Sequence, residues 1–275
     1  MTGRGIDAPP NTAEHGPTRM RVPPVYRRWV TCPEPRPEAR LRLFCFHFAG
    51  GDASVFRLWT RQLPAYIEVC PIELPGRASR RDEAPITVFD ELLEKLAGMM
   101  RPFLKQLPAA FFGHSFGGNI AFELARMLRR TGEPMPLRLF LAASPALFLP
   151  RELWSPISHL PDAEFLERIG TRYRLPQEVL ASTDFQQEVL PALRADMSVA
   201  ESYQYTREPP LDVPISAFGA KGDPEVSPAE AQAWCQQTTV GFRLRLLPGN
   251  NHFFISTERQ RLHQGIIEDL GGLAV

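Results

Sequence analysis

The chain has 275 residues, of which 44% are hydrophobic and 23% charged, values typical of one large globular domain. Its 31 Lys and Arg residues balance its 31 Asp and Glu residues, so no net charge draws it to nucleic acid or to a membrane surface. The most apolar stretch, LFLAASPALFLP, is short and interrupted by proline, which excludes a membrane span. The first residues lack the apolar segment of a secretory signal, and we expect a soluble cytoplasmic protein.

The cysteines are scattered along the chain and form no C-x-x-C pair: Cys32, Cys45, Cys70 and Cys235. In a chain of this length, that spacing argues against a disulfide framework or a zinc site and favours a reducing compartment. The sequence therefore implies no structural metal.

The predicted elements alternate between strands and helices. Residues 1–25 are polar, contain Gly and Pro without periodicity, and are predicted to be disordered. The apolar segments after them are predicted strands, in this order: LRLFCFHF, EVCPIELPGR, PAAFFG, LRLFLAAS, PISAFGA and FRLRLLPG. Helices are predicted for GNIAFELARMLRRTG, which Gly132 ends, and for residues 257–270. Continuous apolar runs indicate strands buried on both faces, so this order predicts an α/β fold with a mostly parallel sheet.

One interval between predicted strands is unusually long. About 70 residues separate the strand that ends at Ser144 from the strand that starts near Pro214, whereas a complete βαβ unit takes about 30 residues. The excess contains helix-like pieces: PDAEFLERIG, PQEVLAS and DFQQEVLPALRADMSVAESYQY. Long insertions often cover or form a binding site, so we predict a helical lid at about residues 147–208. A purely structural elaboration is the alternative.

The stretch FFGHSFGG places Ser115 among glycines, after a predicted strand and before a predicted helix. This is the context of a nucleophile elbow, a tight turn that exposes the serine hydroxyl at the carboxyl edge of a parallel sheet. The backbone N–H of Phe116, at the start of the helix, would point at an oxyanion formed by attack of Ser115. An ordinary helix N-cap is the alternative role for Ser115.

A serine hydroxyl needs a base to take its proton, and the base needs a carboxylate to hold its tautomer. On this kind of sheet the partners follow the nucleophile in the order serine, acid, histidine. His252, in LPGNNHFF directly after the last strand, is the predicted base. His159 falls in the insertion and His263 in the last helix, which makes both less suitable.

The predicted acid is one of the aspartates between the serine and the histidine: Asp162, Asp184, Asp196, Asp212 and Asp223. Only Asp223, in FGAKGDPEV, comes just after a strand with glycines forming the turn. Asp212 precedes that strand and would lie at the wrong edge of the sheet. We therefore predict Asp223 as the acid, with turn initiation before Pro224 as its alternative role.

The second oxyanion donor is expected in a glycine-rich loop after the first strand, FHFAGGDAS. Gly50 and Gly51 allow a close backbone approach there. We predict the N–H of Ala49 as the donor, with Phe48 as the alternative. His47 is expected to shape the loop rather than to act as a base.

With these residues, the chain resembles the type II thioesterases that accompany polyketide synthases and nonribosomal peptide synthetases. The similarity runs from about Tyr26 to the last helix and includes these motifs in order: CFHFAGG, ELPGR, GHSFGG, LPALRADMSVAESYQY, GDPEVSPAEAQAWCQQT and GNNHFF. The resemblance implies an α/β-hydrolase fold in which Ser115, Asp223 and His252 form the catalytic triad. The glycine loop and the residue after the serine supply the oxyanion hole in that family.

The chain departs from the usual pattern of that family in three places. It has His47-Phe48 where the family usually has Pro-His or Pro-Tyr, and Ser144-Pro145 where Ser-Gly is common. Two asparagines precede His252, where the family more often has Gly-Asp. These changes bear on the shape of the pocket and on the second oxyanion donor, and they leave the triad in place.

The resemblance implies hydrolysis of acyl thioesters on the phosphopantetheine arm of an acyl or peptidyl carrier protein, through an acyl-serine intermediate. It implies no metal or cofactor. From the balanced charge we expect no nucleic acid or membrane partner, and we expect a monomer. The basic residues Arg77, Arg80 and Arg81 are predicted to meet an acidic carrier domain. The alternatives are a free-standing esterase or acyltransferase on the same fold, and a hydrolase-like binding protein without catalysis.

Overall fold

The computed structural model describes residues 24–32, 34–150 and 155–271. The disorder predicted for residues 1–25 therefore lies outside the described residues, except at its last two positions, where a short helix begins. None of the described helices is long and apolar enough to cross a membrane.

The described strands form one parallel sheet in the order β2-β1-β3-β4-β5-β6. Their bounds are β1 (Leu41–Phe46), β2 (Ile67–Pro71), β3 (Ala109–His114), β4 (Leu139–Ala142), β5 (Ile215–Ala220) and β6 (Phe242–Leu247). Each predicted strand segment overlaps one of them, although β2 begins one residue before its segment and β3 ends one residue after its own, and the predicted parallel sheet is confirmed. Burial on both faces is confirmed for β1 to β5, whereas β6, one of the two edge strands, is partly exposed.

The helices lie between and around these strands. Their bounds are α1 (Pro24–Arg27), α2 (Trp59–Gln62), α3 (Phe89–Leu104), α4 (Phe116–Thr131), α5 (Asp162–Tyr173), α6 (Gln177–Leu180), α7 (Leu190–Ser202), α8 (Pro228–Gln232), α9 (Phe254–Thr257) and α10 (Arg259–Gly271). Short 3₁₀ turns span Ala53–Phe56, Ala78–Arg80 and Ala233–Gln237, and a π turn spans Phe185–Val189. The two predicted helices correspond to α4 and α10, and α3 is an additional helix.

Side chains of successive strand residues point to opposite faces of the sheet and build two apolar cores. Phe44 and Phe46 of β1 belong to the core that α3 and α4 cover. Leu43 and Cys45 belong to the core on the other face, which α10 covers. The sheet is therefore a rigid, doubly covered layer that can hold catalytic groups at its carboxyl edge.

Helix α4 packs one apolar face on the sheet. Ile120, Leu124 and Leu128, four residues apart, are buried on this face. Gly132 adopts a left-handed conformation with φ of 66°, and the Glu133 N–H donates to the Leu128 carbonyl at 3.0 Å. Both the predicted helix and its predicted end at Gly132 are confirmed.

Helices α5, α6 and α7 lie between β4 and β5, in the interval that the sequence marks as unusually long. We call its described residues 155–208 the inserted segment. The predicted helix-like pieces correspond to α5, to α6 and to the π turn with α7. The segment has a small apolar core of its own: Ile157, Phe165, Ile169, Leu190, Leu193 and Met197. It is a separately packed helical layer beside the carboxyl edge of the sheet.

Candidate active site

Ser115 alone joins β3 to α4. Its φ of 55° is rare for a residue with a side chain, and strain of this kind is common at functional sites. Its backbone N–H donates to the Ala142 carbonyl at 2.7 Å, and its own carbonyl accepts from the Gly118 N–H at 2.8 Å. The serine side chain makes no capping bond to the helix, so the alternative role as a side-chain N-cap is wrong.

His252 reaches Ser115 from the loop that follows β6. The His252 Nε2 lies 2.8 Å from the Ser115 Oγ, an ordinary hydrogen-bond distance. The His252 backbone carbonyl accepts a hydrogen bond from the His114 Nε2–H at 2.8 Å, which fixes the loop over the end of β3. The structure therefore brings together the predicted nucleophile and the predicted base.

Asp223 follows β5 and lies on the far side of the imidazole. Both of its carboxylate oxygens are 3.1 Å from the His252 Nδ1. Because a carboxylate only accepts hydrogen bonds, Nδ1 carries the proton, and the Nε2 lone pair accepts from the Ser115 hydroxyl. The backbone N–H groups of Glu225 and Val226 donate to the Asp223 Oδ1 at 2.9 and 3.3 Å. These bonds hold the carboxylate in one orientation.

The pKa of Asp223 lies below its ordinary value. Burial raises this pKa, but the hydrogen bond to His252, the charge of that imidazole and the two amide hydrogen bonds outweigh the burial. Asp223 is therefore ionised at neutral pH. An ionised carboxylate in this position stabilises the imidazolium that forms when His252 accepts a proton.

The other candidate acids and bases lie away from this group. His159 is exposed in the inserted segment, and His263 is buried in α10 against the ring of Trp59. Asp196 is buried in α7, where it forms an ion pair with Arg77. The remaining candidate aspartates are exposed: Asp162, Asp184 and Asp212.

The two predicted oxyanion donors come from two different parts of the chain, the start of α4 and the loop after β1. The N–H of Phe116 belongs to the first turn of α4, whose amides have no partner within the helix. Ala49 lies in the glycine loop, residues 48–51, and lines the same two cavities as Ser115 and His252. This arrangement is suited to stabilising negative charge beside the serine.

Two amides of the glycine loop are already engaged. The Gly50 N–H donates to the Asp196 Oδ2 at 2.8 Å, and the Gly51 N–H donates to the Phe48 carbonyl at 2.9 Å. Neither amide is available to an oxyanion in this arrangement. Ala49 and Phe48 remain as the donors that the sequence suggests.

His47 shapes the glycine loop. It is buried, and its Nδ1–H donates to the Phe48 carbonyl at 2.9 Å. Burial, together with the charge of Arg77, lowers the pKa of His47 to about 4. The neutral imidazole therefore acts as a hydrogen-bond donor to the loop at neutral pH.

The basic stretch predicted to meet a carrier domain is mostly buried, which corrects that expectation. Arg77 and Arg80 are 5% and 4% exposed, and each forms an ion pair with a carboxylate. Arg81 is exposed, but it pairs with Glu188 of the inserted segment at 3.1 Å. The sequence could not show this, because Asp196, the partner of Arg77, lies 119 residues further along the chain.

Two cavities meet at Ser115 and His252. One has a volume of about 230 Å³ and is lined mainly by apolar side chains, among them Phe48, Ile169, Val179, Phe185, Leu193 and Phe253. The other has a volume of about 1080 Å³ and is lined in part by charged side chains, among them Glu164, Glu167, Arg168, Arg172, Glu225 and Glu230. A group bound at the serine can therefore extend into an apolar space on one side and a polar space on the other.

Tyr173, at the end of α5, is a site residue that sequence reasoning missed. Its ring lies 5.2 Å from the ring of His252 and 5.9 Å from that of Phe253, between centroids. The adjacent Arg172 forms an ion pair with Glu225, near the predicted acid. No local pattern marks this tyrosine, because a tyrosine in an amphipathic helix usually packs in a core or lies at the surface.

Among the described residues, one group has the spacing of metal ligands: Cys32, Glu68 and Cys70, whose ligand atoms lie within 4.8 Å of one another. The Glu68 carboxylate accepts from the Arg42 guanidinium at 2.8 Å and from the Arg36 N–H at 3.2 Å. Because an arginine already balances the carboxylate, the group fits an ion pair beside two thiols better than a metal centre. None of its members lines the two cavities.

Three buried histidines make the folded state less stable in acid: His114, His47 and His263, the last with a pKa that burial lowers to about 4. Burial lowers the pKa of His114 to about 3 and that of His47 to about 4, against about 6.5 in an unfolded chain. Below about pH 6.5 the unfolded state binds protons on these histidines that the folded state does not, so their contribution to the free energy of unfolding decreases as the pH falls. Glu73 contributes with the opposite sign over the same interval, because burial raises its pKa to about 7. Between pH 6.5 and pH 5 each histidine is expected to lower the free energy of unfolding by about 1.6 kcal/mol, measured by urea denaturation.

The variant His114→Gln separates this effect from other acid-induced losses. Glutamine does not titrate, and its amide can still donate to the His252 carbonyl. We expect a flatter dependence on pH, with about 1.6 kcal/mol less lost over the same interval. An unchanged slope would show that His114 is not the group that destabilises the folded state in acid.

Residues 41–271 match the sequence model of a family described as thioesterase domain. The chain is 40% identical over 238 residues to the linear gramicidin dehydrogenase LgrE of Brevibacillus parabrevis, a match that covers 86% of this chain and 89% of that protein. The match therefore extends over nearly the whole of both proteins.

Solved structures with the same fold include RedJ, a thioesterase from the prodiginine biosynthetic pathway in Streptomyces coelicolor. It superimposes with a TM-score of 0.78 at 37% identity, over 86% of this chain and 92% of that chain. BorB, a type II thioesterase from the borrelidin biosynthetic cluster, gives a TM-score of 0.79 at 33% identity, over 88% of this chain and 97% of that chain.

Proposed function

This chain belongs to the thioesterase family and has the α/β-hydrolase fold, and from that premise we propose that it hydrolyses acyl thioesters on the phosphopantetheine arm of carrier proteins. The observation that carries the proposal is the hydrogen-bonded series Asp223, His252 and Ser115, at the junction of an apolar and a polar cavity. The similarity to BorB, a type II thioesterase, supports an editing role in polyketide or nonribosomal peptide synthesis. In that role the enzyme removes acyl groups that block the arm.

In the first half-reaction, the Ser115 Oγ attacks the thioester carbonyl carbon, and the His252 Nε2 takes the hydroxyl proton across 2.8 Å. Asp223 stabilises the resulting imidazolium. The N–H groups of Phe116 and Ala49 donate to the oxyanion of the tetrahedral intermediate. The intermediate collapses when the carbon–sulfur bond breaks, and His252 gives its proton to the departing sulfur.

In the second half-reaction, water occupies the space that the thiol has left. The His252 Nε2 takes a proton from this water, whose oxygen attacks the carbonyl of the acyl-serine. Collapse of the second intermediate returns the proton to the Ser115 Oγ and releases a carboxylic acid. The sequence of steps needs no metal and no cofactor.

The two cavities suit the two parts of the substrate. The apolar cavity fits the acyl group, and the polar cavity fits the phosphopantetheine arm, which carries amide and hydroxyl groups. The inserted segment forms much of both walls, and Tyr173 lies over His252. We propose that this segment is the lid, within about residues 147–208, and that it excludes water until the substrate is bound.

The name of LgrE points to a dehydrogenase, and the loop after β1 favours a hydrolase for the present chain. A dinucleotide-binding chain carries G-x-G-x-x-G in this loop, so that its backbone can approach a pyrophosphate. Here the loop reads HFAGGDA.

Turnover of an acyl N-acetylcysteamine thioester tests the proposal, with release of the thiol and of the free acid both measured. Fluorophosphonate labelling, located by mass spectrometry, tests whether Ser115 is an activated nucleophile. A protein that neither turns over nor labels would be a hydrolase-like binding protein. Faster hydrolysis of the matching oxygen ester would favour an esterase, and transfer of the acyl group to an added amine would favour an acyltransferase.

A carrier-bound substrate is expected to be hydrolysed more efficiently than the same acyl group on N-acetylcysteamine. Contacts with the carrier lie far from the reacting carbon, and binding energy from such contacts can lower the barrier at the serine. We expect kcat/KM to be at least about tenfold higher for the acyl carrier protein, equivalent to about 1.4 kcal/mol. Equal values would exclude a carrier-specific enzyme while leaving thioester hydrolysis intact.

The contribution of surface charge can be measured in the same assay. Arg81 is the exposed member of the basic stretch, so Arg81→Glu should reduce the advantage of the carrier, as should high salt. Lys95→Glu, an exposed change on α3, serves as the matched control. A similar loss in both variants would indicate a general effect of net charge rather than a contact at Arg81.

The proposal also includes a cytoplasmic, monomeric enzyme. The sulfurs of Cys32 and Cys70 lie 3.4 Å apart as a hydrogen-bonded pair. Two thiols kept this close are consistent with a reducing compartment.

A further inference from the structure

We propose that Asp196, on α7 of the inserted segment, is a positioning residue for the oxyanion hole. It acts through the backbone of Gly50 in the glycine loop, next to the predicted donor Ala49. The inserted segment would then set the catalytic geometry in addition to covering the site. This inference rests on the proposed thioester hydrolysis.

One buried ion pair holds both a donor and an acceptor of the glycine loop. The Asp196 Oδ2 accepts from the Gly50 N–H at 2.8 Å, and the carboxylate also takes two hydrogen bonds from Arg77, at 2.6 and 2.7 Å. The Arg77 Nη1 donates in addition to the Gly51 carbonyl at 3.0 Å. Asp196 is 1% exposed, so little water competes for these bonds.

The glycine loop needs an anchor because its backbone is intrinsically free. Gly50 adopts a φ of 76°, and the Gly51 N–H closes a turn on the Phe48 carbonyl. Glycine loses more conformational freedom on folding than any other residue, so two in succession tend to leave a loop mobile. The engaged Gly50 N–H opposes that mobility at the centre of the turn.

Helix α7 also contacts this loop directly. A Cβ placed on Gly50 would lie 3.0 Å from the Cβ of Leu193. Leu193 and Asp196 are three residues apart and so lie on one face of α7. This face therefore supplies both the packing surface and the charged anchor of the loop.

Loss of this anchor would change the position of the neighbouring Ala49 amide. The Ala49 N–H precedes the anchored Gly50 in the same turn, so its direction depends on where Gly50 is held. A displacement of about 1 Å at a catalytic group can cost about 10²-fold in rate. Because an oxyanion hole acts mainly in the transition state, loss of the anchor should lower kcat and leave KM nearly unchanged.

The test replaces the ion pair without leaving a buried charge unpaired. The double variant Arg77→Met, Asp196→Leu removes both charges and the acceptor for the Gly50 N–H. We expect kcat on an acyl N-acetylcysteamine thioester to fall by about 10²-fold with KM nearly unchanged. The double variant Arg77→Met, Asp196→Asn keeps an acceptor for that N–H, so we expect it to recover most of kcat.

The chain offers a matched control in a second buried ion pair. Glu68 accepts from the Arg42 guanidinium and from the backbone N–H of Arg36, and it does not line either cavity. The double variant Arg42→Met, Glu68→Leu removes the same chemical groups elsewhere in the fold. Its melting temperature should change, and its kcat should not.

The outcomes separate this proposal from the proposed function. If the unchanged protein does not hydrolyse the thioester, the proposed function fails. If the unchanged protein hydrolyses the thioester, equal kcat values for Arg77→Met, Asp196→Leu and for Arg77→Met, Asp196→Asn would overturn the positioning role. A kcat that follows the melting temperature in every variant would overturn it as well. Should the leucine variant not fold, Arg77→Met, Asp196→Ala carries the test, because it also removes both charges and the acceptor for the Gly50 N–H. Its kcat should fall well below that of Arg77→Met, Asp196→Asn, and equal kcat in these two variants would overturn the role.

Discussion

The variant Ser115→Ala is expected to abolish measurable turnover, and Asp223→Asn is expected to lower kcat by about 10³- to 10⁴-fold. Alanine removes the atom that forms the acyl intermediate. Asparagine can present its NH₂ group to the His252 Nδ1, which moves the imidazole proton to Nε2. An Nε2 that already carries a proton cannot accept the one from the serine hydroxyl.

Steady-state hydrolysis of an acyl thioester, together with the melting temperature of each variant, measures this effect. Asp212→Asn is the matched control, because Asp212 is exposed and precedes β5 instead of following it. It should retain full kcat. Near-full activity of Asp223→Asn in a folded protein would show that another group orients the base.

The variant Gly117→Ala is expected to reduce both stability and turnover. A Cβ at this position would lie 2.2 Å from the Phe46 carbonyl oxygen and 2.6 Å from that of His47, both backbone atoms at the end of β1. The backbone cannot yield as a flexible side chain does, so α4 must move away from the sheet. That movement would carry Ser115 away from the glycine loop.

We expect a destabilisation of about 3 kcal/mol, the upper end of the usual cost of overpacking. At about 2–4 °C for each kcal/mol, the melting temperature should fall by about 6–12 °C. The change in geometry should lower kcat by more than the loss of folded protein explains, because the nucleophile and an oxyanion donor would separate.

Gly98→Ala is the matched control for this substitution. Gly98 lies within α3, and a Cβ there would meet no atom within 4 Å. Alanine favours a helix over glycine by about 0.5–1 kcal/mol, so the melting temperature should stay the same or rise. Equal behaviour of the two variants would show that α4 does not pack closely on the end of β1.

The amino-acid sequence alone was enough to predict the succession of strands along the chain and the fold class, which the structure and the comparisons confirm, whereas it did not predict α3. It also predicted Ser115, Asp223 and His252 as one group of nucleophile, acid and base. Each follows a different strand, and the ends of parallel strands meet at one edge of a sheet, so a local pattern is enough to predict that they lie together. Their catalytic roles remain predictions for the variants to test.

Which charged groups are buried, and which element holds which loop, became visible only from the packing of distant segments. Arg77 belongs to a basic stretch in the sequence, yet it is buried against Asp196 from a helix 119 residues away. Tyr173, on α5, likewise lies over His252, which follows β6 far along the chain. Periodicity reports which face of an element is apolar, but it does not report which distant element packs against that face. Contacts between the inserted segment and the sheet depend on that packing, and they come from the fold as a whole.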